Sequence, residues 1–218
     1  MKPPPKREAL SRERILRAAL AIVDLEGLGA ISMRRIGDAL GVEAMSLYNH
    51  VAGKAAILDG IFEIILAEMP AAWPSSSWKS ALRDRACALR VVLSAHPHAL
   101  PLFATRPAVT PASIAHVEAV LDVLRSAGFS ASHALSAMQV LLAFVVGHTL
   151  ATHSPAQPGE ESRPAYDELS EAAFPRVLEV ARLLPDHDVE QEFELGLEAM
   201  LEGLERYAGR SRRGTVRH

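Results

Sequence analysis

Glycine and proline cut this chain into apolar runs whose hydrophobic residues return every three to four positions, and that spacing admits little besides helices. In 11–26, Ile15, Leu16, Ala19, Ile22 and Val23 share one helical face before Gly27 stops the run. The same reading predicts a short helix from Ser32, a good N-cap, to about Leu40, and a second to about His50 after a turn at Gly41. Further helices are predicted over 54–69, 78–95, 112–127, 132–152, 175–184 and 188–208. Pro101, Pro107 and Pro111 break 99–111 into a turn and loop. The run 132–152 is apolar nearly all round and so is expected to be buried on every side. No stretch reads as a strand and none repeats with a 20–50-residue period, so the expected fold class is all-α. An aromatic content of 5% within 49% hydrophobic residues agrees, Ala and Leu being prominent.

Residues 1–10, with Pro3, Pro4 and Pro5, read as a flexible arm, 70–77 as a linker, and 210–218 as a basic tail. Cys87 is the one cysteine, which excludes an intrachain disulfide and suits a reducing compartment. The N-terminus has no apolar stretch that could act as a secretory signal. Arg, Glu, Asp or His interrupts every apolar run short of the roughly 18 residues of a membrane span, so no span is expected. A soluble cytoplasmic protein without a membrane partner is expected. The net charge of −3 does not advertise a polyanion ligand, but residues 1–60 hold nine Lys/Arg against seven Asp/Glu, so nucleic acid is permitted there.

The segment LGVEAMSLYNHVAGK (40–54) decides between classes. Ile36 and Leu40 lie one turn apart, Gly37 allows a close helix crossing, and Gly41 can take the positive φ of a tight inter-helix turn. Val42 and Leu47 then anchor the second short helix, leaving Ala44, Met45, Ser46, Tyr48, Asn49 and His50 outward. That is a helix-turn-helix presenting its second helix to a major groove. Arg34 and Arg35 sit in the first turn of the preceding helix, and Lys54 opens the following one, where backbone N–H groups and a cation make a phosphate site.

Residues 12–61, RERILRAALAIVDLEGLGAISMRRIGDALGVEAMSLYNHVAGKAAILDGI, resemble the tetracycline-repressor (TetR) family of bacterial transcription factors, most specifically in Leu47-Tyr48-x-His50-Val51 followed by Gly53-Lys54. The resemblance implies a DNA-binding domain over 11–54. Ser32, Tyr48, His50 and Lys54 would grip phosphate; Arg34, Ala44 and Met45 would face bases; Ser46 would stand between the two. Asn49 is left to either a phosphate or solvent. It further implies a repressor that binds double-stranded DNA as a homodimer across a palindromic operator.

The remainder, 55–209, resembles the tetracycline repressor's C-terminal domain in Thr105-Arg106-Pro107, Gly128-Phe129-Ser130 with Ala134-Leu135, and FELGLEAMLEGL at 193–204. That implies a small-molecule effector held among the helices, with Ile61, Ile65, Trp78, Leu82, Phe103, His116, Val120, Met138 and Phe144 as candidate walls and His116 and His148 as polar candidates. Leu102 and Ala151 stand where the family places its metal-binding histidine and acidic residue, so a tetracycline–Mg²⁺ complex is not expected. The effector is expected to be mostly apolar, and no cofactor or metal site is expected. The last helix carries a stripe of Val189, Phe193, Leu197, Met200, Leu204 and Tyr207, with Gly196 and Gly203 seven apart. It is read as a dimer interface with 132–152, the alternative being packing on its own subunit.

Nine histidines and many carboxylates also raise the possibility of an enzyme. No Glu-x-x-His, His-Glu-x-x-His, Gly-x-Gly-x-x-Gly, Walker A or Gly-x-Ser-x-Gly occurs, and catalysis is not expected. A helical small-molecule carrier without DNA binding is the alternative.

Overall fold

The computed structural model describes residues 9–70, 75–153 and 166–209. The proline arm before residue 9, the centre of the linker, residues 154–165 and the basic tail lie outside the described residues. Among those described, the chain forms ten α-helices joined by turns and short 3₁₀ segments, with no strand.

Helices α1 (Arg12–Glu26), α2 (Met33–Leu40) and α3 (Ala44–Leu47) form an N-terminal unit, and α4 (Lys54–Ala67) joins it to the rest. Ser11 caps α1 by accepting from the Arg14 N–H, and Gly27, at φ 82°, ends it. α4 crosses α1 at Gly60, where a Cβ would stand 2.3 Å from a methyl of Leu16. Ile57, Ile61 and Ile65 are fully buried along α4, each contributing about 1.5–3 kcal/mol. A bidentate Arg12–Glu63 pair, both bonds 3.0 Å, closes the rim of the α1–α4 seam and holds the Glu63 carboxyl below its usual pKa.

The C-terminal helices are α5 (Trp78–Ala95), α6 (Leu100–Thr105), α7 (Pro111–Ser126), α8 (Ala131–His153), α9 (Pro175–Ala181) and α10 (Val189–Glu205). α8 lies at the centre, packed against α5, α6, α7 and α10. α6 falls where the sequence predicts a turn and loop. Pro101 occupies its first turn, where no backbone donor is required, so the proline starts this helix rather than breaking it.

Two expectations about the apolar run 132–152 need correction. α8 is long and apolar enough to cross a membrane by length and composition, carrying histidines but no Asp, Glu, Lys or Arg. Its inner residues, including Ala137, Leu141 and Val145, are spent on the domain core. It is not buried on every side, however: Leu135, Val140 and Leu150 are exposed. On α10, Phe193, Leu197 and Leu201 are buried against their own subunit, while Val189 of the same stripe is exposed and Met200, Leu204 and Tyr207 are half-buried. Gly196 makes room there for the Phe144 ring, which a Cβ would meet at 2.6 Å. Leu195, on another face of α10, is 72% exposed.

Candidate nucleic-acid interface and effector cavity

The outward corner is built from two glycines and a few buried side chains. Ser32 caps α2 by accepting from the Arg35 N–H at 3.1 Å, which leaves its own hydroxyl proton to donate. Gly41 closes α2 in the left-handed region at φ 67°; its N–H reaches the carbonyl of Asp38, and the Val42 N–H that of Gly37. A Cβ on Gly37 would lie 2.8 Å from the Val42 carbonyl oxygen, so only glycine lets α3 cross this closely. Ile36, Leu47 and Val51 pin the corner from beneath.

α3 proper is a single turn, shorter than the sequence reading to His50; residues 48–50 continue it as hydrogen-bonded turns. Met45 is 73% exposed and Tyr48 49%; Asn49, His50 and Lys54 are exposed, and Ala44 and Ser46 half-buried. Arg35 is held by Glu26, whereas Arg34 shares a shallow groove between α2 and α3 with Gly37, Val42 and Ala44. The structure thus brings all nine sequence-predicted contact residues, Ser32, Arg34, Ala44, Met45, Ser46, Tyr48, Asn49, His50 and Lys54, onto the part of the N-terminal unit formed by α2, α3 and the start of α4. Exposed Met45 burial would reward a hydrophobic partner such as a thymine methyl, while the hydroxyls, imidazole and ammonium suit phosphate.

At the other end of α4 a cavity of about 120 Å³, partly open to solvent, lies between α4, α5, α7 and α8. Leu82, Phe103, His116, Val120 and Met138 line it as the sequence suggests. Ile61, Ile65, Trp78, Phe144 and His148 do not. Ile61 and Ile65 are sealed in the core, and it is the adjacent face of α4, with Phe62, Leu66 and Met69, that reaches the cavity. Trp78 packs edge-on against Phe129, and Phe144 stacks on Phe193 with His148 beside both. Burial lowers the His148 pKa, and both its ring nitrogens are buried without a hydrogen-bond partner among the described residues.

Arg85, which the sequence reading passed over, is half-buried in the cavity wall. Its Nη2 donates to His116 Nδ1 and to the His116 carbonyl, both at 2.9 Å. Burial lowers the pKa of both residues, and the nearby guanidinium lowers that of His116 further. A cation on the otherwise apolar cavity-facing side of α5 was the available signal; its spacing from Leu82 and Leu89 puts it on the same side of the helix.

Two links join cavity and corner. Phe62 of α4 stacks on Phe103 of α6 with centroids 4.4 Å apart. Arg106, just after α6, donates to Asp59 through Nε at 2.9 Å and Nη2 at 2.6 Å, and also reaches the Ala55 carbonyl at 3.3 Å, one residue from Lys54.

With this geometry in place, comparison with known proteins is direct. Residues 15–61 match the family described as bacterial regulatory proteins, tetR family, and residues 70–208 the tetracyclin repressor-like C-terminal domain. The chain is 34% identical over 140 residues to the HTH-type transcriptional repressor DrrR1 of Streptomyces coeruleorubidus, a match covering 63% of this chain and 52% of that one. It is 31% identical over 202 residues to the class C tetracycline repressor protein of Escherichia coli, covering 90% of this chain and 91% of that protein. Among solved structures, ActR of Streptomyces coelicolor superposes with a TM-score of 0.79 at 30% identity, over 93% of this chain and 98% of that one. ActR has also been solved in complex with actinorhodin.

Proposed function

This chain belongs to the tetR family of bacterial regulatory proteins, and we propose that it is a cytoplasmic, homodimeric repressor that leaves a palindromic operator when a small molecule enters the C-terminal cavity. The observation that carries this reading is α4 itself: it offers Lys54 to solvent beside the exposed α3 and lines the cavity with Phe62 and Leu66. At 14 residues it is a rod of about 21 Å, so a small tilt at the cavity displaces the reading corner by ångströms.

In the DNA-bound form, Ser32, Tyr48, His50 and Lys54 hold phosphates and set the register, with Asn49 at its edge. Arg34, Ala44 and Met45 face base edges and Ser46 lies between. One such corner reads few base pairs, and selectivity comes from a second copy on a half-site about one helical turn of DNA away. The exposed Leu135, Val140 and Leu150 of α8 and Leu195 of α10 supply the surface for pairing. Residues 11–54 read DNA, and 55–209 bind effector and pair the subunits.

The effector is mostly apolar, as its walls are, and acts by favouring the form whose reading helices no longer match successive grooves. Pressing on the Phe62–Phe103 stack displaces α4 against α6, and the Arg106–Asp59 ion pair carries that shift to the first turns of α4. A coupling of about 1–3 kcal/mol changes DNA affinity roughly 5–150-fold. The test is release of bound operator by a ligand that also binds the free protein. A ligand that fills the cavity of the DNA-bound protein and leaves its DNA affinity unchanged would contradict the mechanism.

A further inference from the structure

One hydrogen-bond donor in the effector cavity has its proton fixed by its neighbour. Among the described residues, three polar side chains line the cavity: Ser113, His116 and Arg85. Ser113 is spent on the start of α7. Its hydroxyl donates to the Thr110 carbonyl at 3.0 Å and accepts from the Thr110 N–H at 3.1 Å and the Thr110 hydroxyl at 2.9 Å. That uses its proton and both lone pairs. His116 is placed by Arg85, whose Nη2 lies 2.9 Å from the imidazole Nδ1 and 2.9 Å from the His116 carbonyl. A guanidinium donates and never accepts, so Nδ1 carries the lone pair and the ring proton sits on Nε2. Burial and the adjacent guanidinium both lower the His116 pKa, so the ring stays neutral and keeps this tautomer. Its Nε2–H has no hydrogen-bond partner among the described residues. That donor is all the His116 ring can offer a ligand: it cannot accept, and it carries no charge.

The rest of the wall is carbon and sulfur. The stacked Phe62–Phe103 pair and the thioethers of Met69 and Met138 form a surface suited to a flat ring system. From this arrangement we infer that the effector is recognised through a carbonyl-type oxygen: a planar, apolar molecule whose acceptor takes the Nε2–H of His116 while its rings lie against Phe62 and Phe103. Arg85 is a positioning residue in this scheme. It acts by fixing the tautomer, whatever else its guanidinium touches. A ligand whose polar atom can only donate would set donor against donor, and a pure hydrocarbon would bury the Nε2–H unpaired.

The inference rests on the cavity being the effector site, and the test separates the two. The full-length protein would be titrated with 6-propionyl-2-(dimethylamino)naphthalene, a ketone whose emission moves to the red when its carbonyl accepts a hydrogen bond. The control probe is the 6-propyl analogue, which has the same rings and no carbonyl. In His116→Leu the affinity for the ketone relative to the analogue is expected to fall about threefold to tenfold, and the emission of the bound ketone to move to the blue. The analogue should stay within about twofold of wild type, which also shows that the variant is folded. His116→Gln should keep most of the ketone preference, because its amide both accepts from Arg85 and donates. In Arg85→Met the imidazole is free to take a second proton, so the preference should rise as pH falls through the ordinary histidine value of about 6.5. In the wild type it should be flat there, and a flat profile in both would overturn the role given to Arg85. A ketone preference and emission unchanged in His116→Leu, an equal loss of both probes, or a His116→Gln that behaves like His116→Leu would overturn the acceptor inference and leave the cavity reading standing. Failure of the wild type to bind either probe would overturn both.

Discussion

The corner made by α2 and α3 and the cavity between α4 and α8 use apolar residues in opposite ways. In the corner, Ile36, Leu47 and Val51 are buried so that other residues can be presented, and the presented residues are polar or oddly exposed. In the cavity the packing residues and the residues proposed to face a ligand are of one kind. Phe103, 5% exposed, is core and wall at once. On the proposed function, recognition of DNA is thus separable from folding in this chain, whereas recognition of an effector is not. Substitutions at the corner surface should change binding and spare stability, and substitutions in the cavity should change both.

The largest effect that tests this contrast lies at Gly37, where the corner's own packing is at stake. Gly37→Val adds atoms against the Val42 backbone oxygen, already 2.8 Å from a Cβ, and should cost about 1–3 kcal/mol. Operator binding should be lost while titration of the cavity with a neutral fluorescent amine is unchanged. Retained operator binding would mean that the close crossing is not required.

Next in size is Arg34→Ala. It should relax selectivity at one base pair by about 1–3 kcal/mol, read by competition between operators mutated at single positions, with an unchanged melting temperature. An unaltered preferred sequence would remove Arg34 from the base-reading set. Lys54→Ala should weaken binding to every sequence alike and lower the salt slope by about one per protomer contact; a sequence-dependent loss would move Lys54 from phosphate to bases.

The smallest effect belongs to the seam between the two regions. His96, after α5, places Nδ1 2.9 Å from Asp24 of α1 and Nε2 3.2 Å from Glu68 at the end of α4, while His98 meets the Asp24 carbonyl at 2.8 Å. Burial alone would lower the His96 pKa, but the two carboxylates outweigh it and the pKa is raised. A raised folded-state pKa stabilises most below the ordinary histidine value of about 6.5, and the gain is lost as pH rises through the folded value. The melting advantage of the wild type over His96→Gln should therefore be larger at acid than at alkaline pH, by about 1–3 °C. An advantage independent of pH would show that the histidine acts by packing alone.

The contrast also explains what could be read from the residues alone. Helix positions in the N-terminal half follow from caps and glycines, and α2 ends at Leu40, where Gly41 says it must. The contact residues of the corner stood out because Tyr48, Asn49 and His50 have no reason to be together on a core face. The cavity offered no such signal. Ile61 and Phe62 are neighbours on an apolar helix, and only the direction of the α1 crossing decides that Phe62 faces the cavity and Ile61 the core. Gly196 signalled a close approach correctly, to Phe144 of α8 in the same chain, whereas a Cβ at Gly203 would meet nothing within 4 Å. α6 was hidden because a proline at a first helical turn looks the same in sequence as one that ends a helix.

The central claim is that the exposed corner reads DNA in a dimer, and fluorescence anisotropy of the purified protein on the DNA upstream of its own gene, at several salt concentrations, tests it most directly. The account predicts saturable binding by two protomers per site, tighter than to random DNA, with affinity falling linearly in log–log form as salt rises. Binding no tighter than to random DNA at every salt and on every upstream fragment would contradict it, and would favour a helical carrier that holds its ligand and leaves DNA alone.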